Sequence, residues 1–326
     1  MNAIEVEGLV KTFPGDVVAV AGIDLAVSGD EIFGFLGPNG AGKTTTIRIL
    51  TTLLRPTAGK ARVDGLDVEE RATDVRQIIG VALQDAGMDA LSTGREMLVL
   101  QARLHGMNGS EPERRAAELL DVVGLSDAGD RRVGTYSGGM KRRLDLAHAL
   151  VHGPQVLFLD EPTTRLDPAS RQAIWDEVRR LNRNEDIAVF LTTQYMEDAD
   201  QLCDRLAIID HGRIVAQGTP DELKASIGTD VVTVAIRPDD AQVARAALAG
   251  IDGLIDLRMD GAGLTLFVND GSGAVAGVIR LLDEAAVAVG AVSVSRPTLD
   301  EVFLQATGSR LEGSGDDRGT PEETAS

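Results

Sequence analysis

One cysteine in 326 residues leaves no partner for an intramolecular disulfide, and Cys203 lies in the apolar-flanked stretch 201–209, so it reads as a core thiol in a reducing compartment. Aromatics make up only 3% of the chain, and 32 basic residues face 51 acidic ones, a formal net charge of -19. A field of that sign repels polyanions, and few rings are on hand to stack on bases, so no nucleic-acid partner is expected. No apolar run reaches the roughly 20 residues that a membrane-spanning helix needs. The opening residues Met1 to Glu5 lack the basic-then-apolar order of a signal peptide. The expected location is cytoplasmic, with any membrane work done by a second chain. His105, His148, His152 and His211 have no ligand spacing supported by cysteine or nearby acidic partners, and no histidine metal site is expected.

What is present is 43% hydrophobic residues, enough for one large core and a smaller one. Residues 4–11 and 17–27 alternate apolar with polar and are closed by Ser28, Gly29 and Asp30, which predicts an antiparallel β layer. Residues 31–36 read as a short buried strand leading through a glycine-rich turn into a helix from near Gly42 through Leu50, a βα unit of a mostly parallel sheet. From about Asp85 to Arg132 the pattern is helical, a separate lobe, with helix starts of capping-box form at Thr93 to Glu96 and Ser110 to Glu113. Residues 156–159 and 188–192 return to short apolar strands, each with a polar cluster at its C-terminal end, where open α/β sheets hold ligands.

Past Gly228 the elements run in the order βαββαβ: strands at 231–236, 254–259, 264–268 and 291–295, with helices at 239–248 and 274–287. That order predicts a small ferredoxin-like α+β domain. A last helix is capped by Thr298 and Glu301, and residues 308–326, with almost no apolar residue, read as a disordered acidic tail. The expected division is 1–228, 229–307 and 308–326.

Gly37, Pro38, Asn39, Gly40, Ala41, Gly42, Lys43, Thr44 and Thr45 match the pattern G-x-x-x-x-G-K-[ST] between a strand and a helix. Glycines let backbone N–H groups wrap a β-phosphate, and the following helix turns its positive end to the anion. Lys43 is expected to reach the β and γ phosphates and Thr44 to ligate Mg²⁺. The strand 156–159 ends in Asp160 and Glu161. There Asp160 is placed for the Mg²⁺ coordination sphere, and Glu161 for accepting a proton from an attacking water. Between these halves Ser137, Gly138 and Gly139 form a second small-residue turn opening a helix, a second anion-binding geometry on the same chain.

The stretch Tyr136 to Arg143 resembles the signature of the ABC ATPases, a family of P-loop NTPases. That resemblance implies a head-to-tail homodimer in which the signature of one subunit closes on ATP held by the loop of the other. It also implies roles in order across residues 1 to about 220: Phe13 stacking on adenine, Gln84 contacting Mg²⁺ and the attacking water, and Leu166 with Asp167 pairing across the dimer. Tyr136 to Arg143, Leu191 to Tyr195 and Pro297 to Leu304, with the small C-terminal domain, are similar to the daunorubicin-resistance type of drug-exporter ATPase. The function so implied is hydrolysis of ATP, with Mg²⁺, to drive efflux of a drug, antibiotic or lipid through a separate polytopic permease on whose cytoplasmic face the chain sits. A soluble ATP-dependent conformational switch is the alternative.

Two residues depart from the wider family. Gln194 stands where most members have a γ-phosphate-contacting histidine; glutamine can still bond a phosphate oxygen but carries no charge, and it reads as a variant switch. Arg165 stands where a small residue is usual, and three consequences are open: hindrance between subunits, a strained left-handed backbone, or pairing with a carboxylate. Lys141, Arg142 and Arg143 read as a solvated helix face.

Overall fold

The computed structural model describes residues 2–83, 87–227, 230–260 and 263–308. Alternation in the first two stretches produces a hairpin, β1 (Asn2–Phe13) antiparallel to β2 (Val17–Ser28). β4 (Ala58–Val63) and β5 (Leu66–Asp67) extend it to the order β2-β1-β4-β5. A second sheet joins β3 (Ile32–Leu36), β6 (Ile79–Ala82), β7 (Val156–Asp160), β8 (Ala188–Thr193), β9 (Arg205–Asp210) and β10 (Arg213–Gly218). Its order is β10-β9-β3-β8-β7-β6, with parallel pairing from β9 across to β6.

β7 and β8 are apolar at nearly every position because both faces of the sheet are covered. Phe158 and Phe190 point into a core shared with Ile4, Leu9 and Ile23 of the antiparallel layer. Their neighbours Leu157, Leu159, Val189 and Leu191 point into a second core, shared with Leu98, Leu119 and Trp175 of the helices. Aromatics are few but concentrated: the Phe190 ring lies 5.8 Å from Phe33, 5.6 Å from Phe35 and 5.8 Å from Phe158. Burying each such ring contributes on the order of 2 kcal/mol. Cys203 is buried in the helical-side core, and a Cβ on Gly34 would stand 2.6 Å from its sulfur. Burial pushes that thiol up.

The helices of this unit are α1 (Lys43–Leu50), α2 (Ala72–Ile78), α3 (Gly94–Leu104), α4 (Glu111–Val122), α5 (Gly138–Ala149), α6 (Pro168–Glu185) and α7 (Met196–Leu202). α3 starts as expected, with Thr93 and Glu96 in a reciprocal capping box. α4 does not: Ser110 has helical angles, φ -90° and ψ 0°, and its side chain makes no cap bond. A residue already helical cannot turn its hydroxyl back onto the third N–H.

A second compact unit begins at Gly218, ahead of residue 228, because α8 (Pro220–Ser226) packs on the final helix, α11 (Leu299–Thr307). Within it β11 (Asp230–Ile236), α9 (Ala241–Leu248), β12 (Leu254–Asp260), β13 (Gly263–Val268), α10 (Gly271–Glu284) and β14 (Val289–Ser295) follow the predicted βαββαβ order. The sheet order β12-β13-β11-β14, antiparallel throughout, is that of a ferredoxin-like split βαβ. α9 and α10 bury Ala244, Leu248, Val278 and Leu282 against Val232, Val234 and Leu266. Arg258 of β12 donates to the carbonyls of Leu304 and Gln305, fixing the end of α11. α11 carries the predicted Thr298–Glu301 box. The predicted tail, 309–326, lies outside the described residues.

Candidate nucleotide site

The loop from Gly37 to Gly42 leaves the sheet at the C-terminal end of β3 and turns into α1. Two of its glycines are obligatory. A Cβ on Gly37 would stand 2.3 Å from the Ile209 carbonyl oxygen, and one on Gly42 would stand 2.4 Å from that of Ala19. Gly42 also has φ 108°, open only to glycine. α1 has no side-chain cap and no acidic residue in its first turn, so its N-terminal N–H groups keep their positive field for an anion.

Lys43 is 4% exposed, and its Nζ donates to the carbonyls of Gly37 at 2.6 Å and Pro38 at 3.0 Å, with Glu161 Oε1 at 3.6 Å. Burial pulls the Lys43 ammonium down, while Glu161 pulls the other way. Thr44 Oγ1 donates to Asp160 Oδ1 at 3.3 Å, which puts two hard oxygen donors side by side, a set suited to Mg²⁺. Asp160 is 2% exposed and also accepts from Thr192 Oγ1 at 2.6 Å. Glu161 has a left-handed backbone, φ 50°, and its N–H donates to both Thr192 O and Thr192 Oγ1 at 3.1 Å.

β8 pairs with β3, and Gly37 N donates to Thr193 O at 3.2 Å, so half-buried Gln194, the residue after β8, is delivered beside the phosphate loop. Gln84 lies outside the described residues. Phe13, at the end of β1, is 36% exposed with Lys11 Nζ 5.3 Å from its ring centroid; it is a surface aromatic and not a core one.

Ser137 caps α5 by accepting from Met140 N at 3.2 Å. A Cβ on Gly139 would stand 2.6 Å from Ser170 Oγ, so the turn of Ser137, Gly138 and Gly139 lies against the start of α6. Asp167 caps α6 through Ser170, and those bonds hold its carboxyl below the usual range. Among the described residues no hydrogen bond joins 137–139 to 37–45. One chain thus brings Lys43, Thr44, Asp160, Glu161 and Gln194 to one end of the parallel sheet, and holds the signature turn with Asp167.

Two features are not marked in the sequence, and a third, Arg165, follows one of the consequences left open there. Arg142 is no solvated cation: its side chain is 13% exposed and bonds the carbonyls of Leu83, Asp160 and Pro162 together with Asp145. Arg143 likewise bonds the carbonyls of Val123 and Gly124; of the three cations only Lys141 stays exposed. Asp198, 1% exposed, accepts from the hydroxyls of Thr163 and Thr193 and from Trp175 Nε1. Burial raises its carboxyl, against those three bonds. Arg165 takes the left-handed backbone, φ 63°, is exposed, and forms no ion pair with any described residue.

Residues 20–164 match the family model for ABC transporters, and residues 218–307 match that of the C-terminal domain of ATP-binding proteins like DrrA1-3. The daunorubicin resistance ATP-binding protein DrrA3 of Streptomyces coeruleorubidus is 48% identical over 94% of this chain and 96% of that one. The chain belongs to the ATPase subunits of the ABC transporter family. Within that family it is of the daunorubicin-resistance type: the daunorubicin/doxorubicin resistance ATP-binding protein DrrA of Streptomyces peucetius is also 46% identical over 98% of this chain and 96% of its own length. Among solved structures, a bacterial ABC transporter cassette determined as a dimer superposes on this ABC ATPase with TM-score 0.61 at 25% identity, covering 66% of this chain and 98% of that one. The fold class and the ATP-hydrolysing activity expected of the sequence are those of this family.

Proposed function

We propose that this ABC ATPase energises export of a hydrophobic compound, a drug, antibiotic or lipid, through a separate polytopic permease, working as a head-to-tail dimer at the cytoplasmic face of the membrane. Support comes from the relatives, which are named for daunorubicin and doxorubicin resistance. Consistent with a peripheral seat, no helix among the described residues is long and apolar enough to cross a membrane.

The observation that carries the reading is the cluster of Lys43, Thr44, Asp160 and Glu161 at one sheet end. Lys43 and the N–H groups of residues 39–44 hold the β and γ phosphates. Thr44 and Asp160, with Gln84, hold Mg²⁺, which supplies charge neutralisation on the phosphate oxygens. A phosphate oxygen in the cradle takes over the Lys43 ammonium from Glu161 and turns that carboxylate to water. Glu161 then accepts a proton as the water oxygen bonds to the γ-phosphorus and the bridging P–O bond to ADP breaks. Gln194 donates an amide hydrogen bond to a γ-phosphate oxygen. Phe13 gives the purine an exposed face to stack on. Ser137 to Gly139 with Asp167 close the site of the partner subunit, which explains why one chain carries two anion-binding turns.

The test is Glu161→Gln. Phosphate release should fall by at least about 100-fold, as for loss of a general base, while ATP binding persists and ATP drives the variant into a dimer on gel filtration. Hydrolysis at the parent rate would refute the assignment, and failure of any polytopic membrane protein to co-purify with the chain would favour a soluble switch.

A further inference from the structure

Glu161 combines a demanding role with a demanding backbone. Its φ of 50° lies in the left-handed region, which costs a residue with a Cβ about 1 kcal/mol or more. Thr192 holds the Glu161 N–H from β8. The residues on either side, Asp160 and Pro162, are held through their carbonyls by one guanidinium. Arg142 Nη2 donates to Asp160 O at 2.7 Å and Arg142 Nε donates to Pro162 O at 3.0 Å, so the carbonyls immediately before and after Glu161 converge on one rigid fork. The remaining nitrogen, Nη1, donates to Leu83 O at 2.9 Å and to Asp145 Oδ2 at 3.1 Å. The plane before Glu161 is held directly, and the plane after it is bounded by the ring-fixed φ of Pro162, by Pro162 O on the fork and by Thr164 N, which donates to Glu161 O at 3.3 Å. Together these fix φ and ψ at Glu161 and the direction in which its carboxylate leaves the chain.

We propose that Arg142 is a positioning residue for ATP hydrolysis: from the helix that the signature turn opens, it locks the left-handed backbone at Glu161 and so aims the carboxylate at the attacking water. The proposal rests on the role assigned to Glu161 above. The geometry needs arginine, because three nitrogens in a planar fork reach three carbonyls on two segments, whereas the single nitrogen of lysine cannot span them. Arg142 also ties the last residue before Gln84 to the same fork, so the end of β6, the Asp160 to Pro162 turn and α5 are fixed as one piece.

The experiment measures steady-state phosphate release and equilibrium ATP binding on the full chain carrying Arg142→Lys, Arg142→Ala or Glu161→Gln. A carboxylate displaced by about 1 Å loses up to about 100-fold in rate without losing substrate. Arg142→Lys should therefore lower kcat by about 10- to 100-fold and leave ATP affinity within about threefold. Guanidinium ion at millimolar concentration should restore part of the rate to Arg142→Ala, refilling the fork, and should restore none to Glu161→Gln. Parent-like kcat in Arg142→Lys with Glu161→Gln inactive overturns the positioning role alone. Equal loss of kcat and ATP affinity in folded Arg142→Lys, or no rescue of folded Arg142→Ala, also overturns it. An active Glu161→Gln overturns the parent reading and this proposal with it.

Discussion

Asp145 stands one helical turn beyond Arg142, and burial lifts its carboxyl to about 6, with Arg142 pulling the other way. An aspartate in water titrates at 3.8, so between these values the folded chain keeps a proton that the unfolded chain has released. Stability from this group is therefore fully present below about pH 3.8 and is lost as pH rises through 6. The gap of about 2.2 pH units, 6 less 3.8, corresponds to about 3 kcal/mol at about 1.4 kcal/mol per unit. Asp145→Asn stays neutral at every pH. Its unfolding free energy relative to the parent should climb by about 3 kcal/mol between about pH 4 and about pH 7, and level off above. Urea melts at a series of pH values would show it, read by the fluorescence of Trp175, the single tryptophan, buried in the same unit. A flat difference, or a parent that improves relative to the variant as pH rises, would contradict a proton held on Asp145 and show that Arg142 keeps the carboxylate ionised.

Gly42→Ala puts a methyl 2.4 Å from the Ala19 carbonyl oxygen at φ 108°. It should distort the loop at a cost of at least about 1–3 kcal/mol and abolish ATP binding by calorimetry, whereas unchanged affinity would show that the loop adapts. Arg165→Gly removes a Cβ from an exposed left-handed residue and should raise stability by about 0.5 kcal/mol, the strain relieved less the added freedom of the unfolded chain. A lower melting temperature would reveal a hidden partner for Arg165. Gln194→Ala should cut turnover by about 10-fold or more while changing ATP affinity by less than about threefold, as the proposed charge-assisted hydrogen bond from its amide to the γ-phosphate predicts. Equal losses would deny it a switching role.

The phosphate loop, the strand ending in Asp160 and Glu161, and the βαββαβ order were legible because each is written in consecutive residues. Period-two alternation, glycine spacing and capping pairs are local codes. What escaped is held across the fold. Arg142 looks like one of three solvated cations until carbonyls 18, 20 and 59 positions away are seen to converge on it. No local pattern marks a carbonyl that a side chain will use. Ser110 misled for the converse reason: the capping letters are present, but the preceding loop brings the residue in already helical. The left-handed turn at Glu161 was equally hidden, since glutamate has no preference for it; Arg165, by contrast, could be suspected because a long side chain stood in a small-residue position.

Asp198 joins four stretches of chain through the hydroxyls of Thr163 and Thr193 and the indole of Trp175. Such a knot slows drift. An apolar replacement of Asp198 takes the acceptor from three buried donors, and loss of the Trp175 indole takes the donor from Oδ1, so a lineage changing either passes through a less stable ancestor or alters two positions together. Descendants would therefore inherit this corner intact, and an engineered ABC ATPase should be diversified elsewhere.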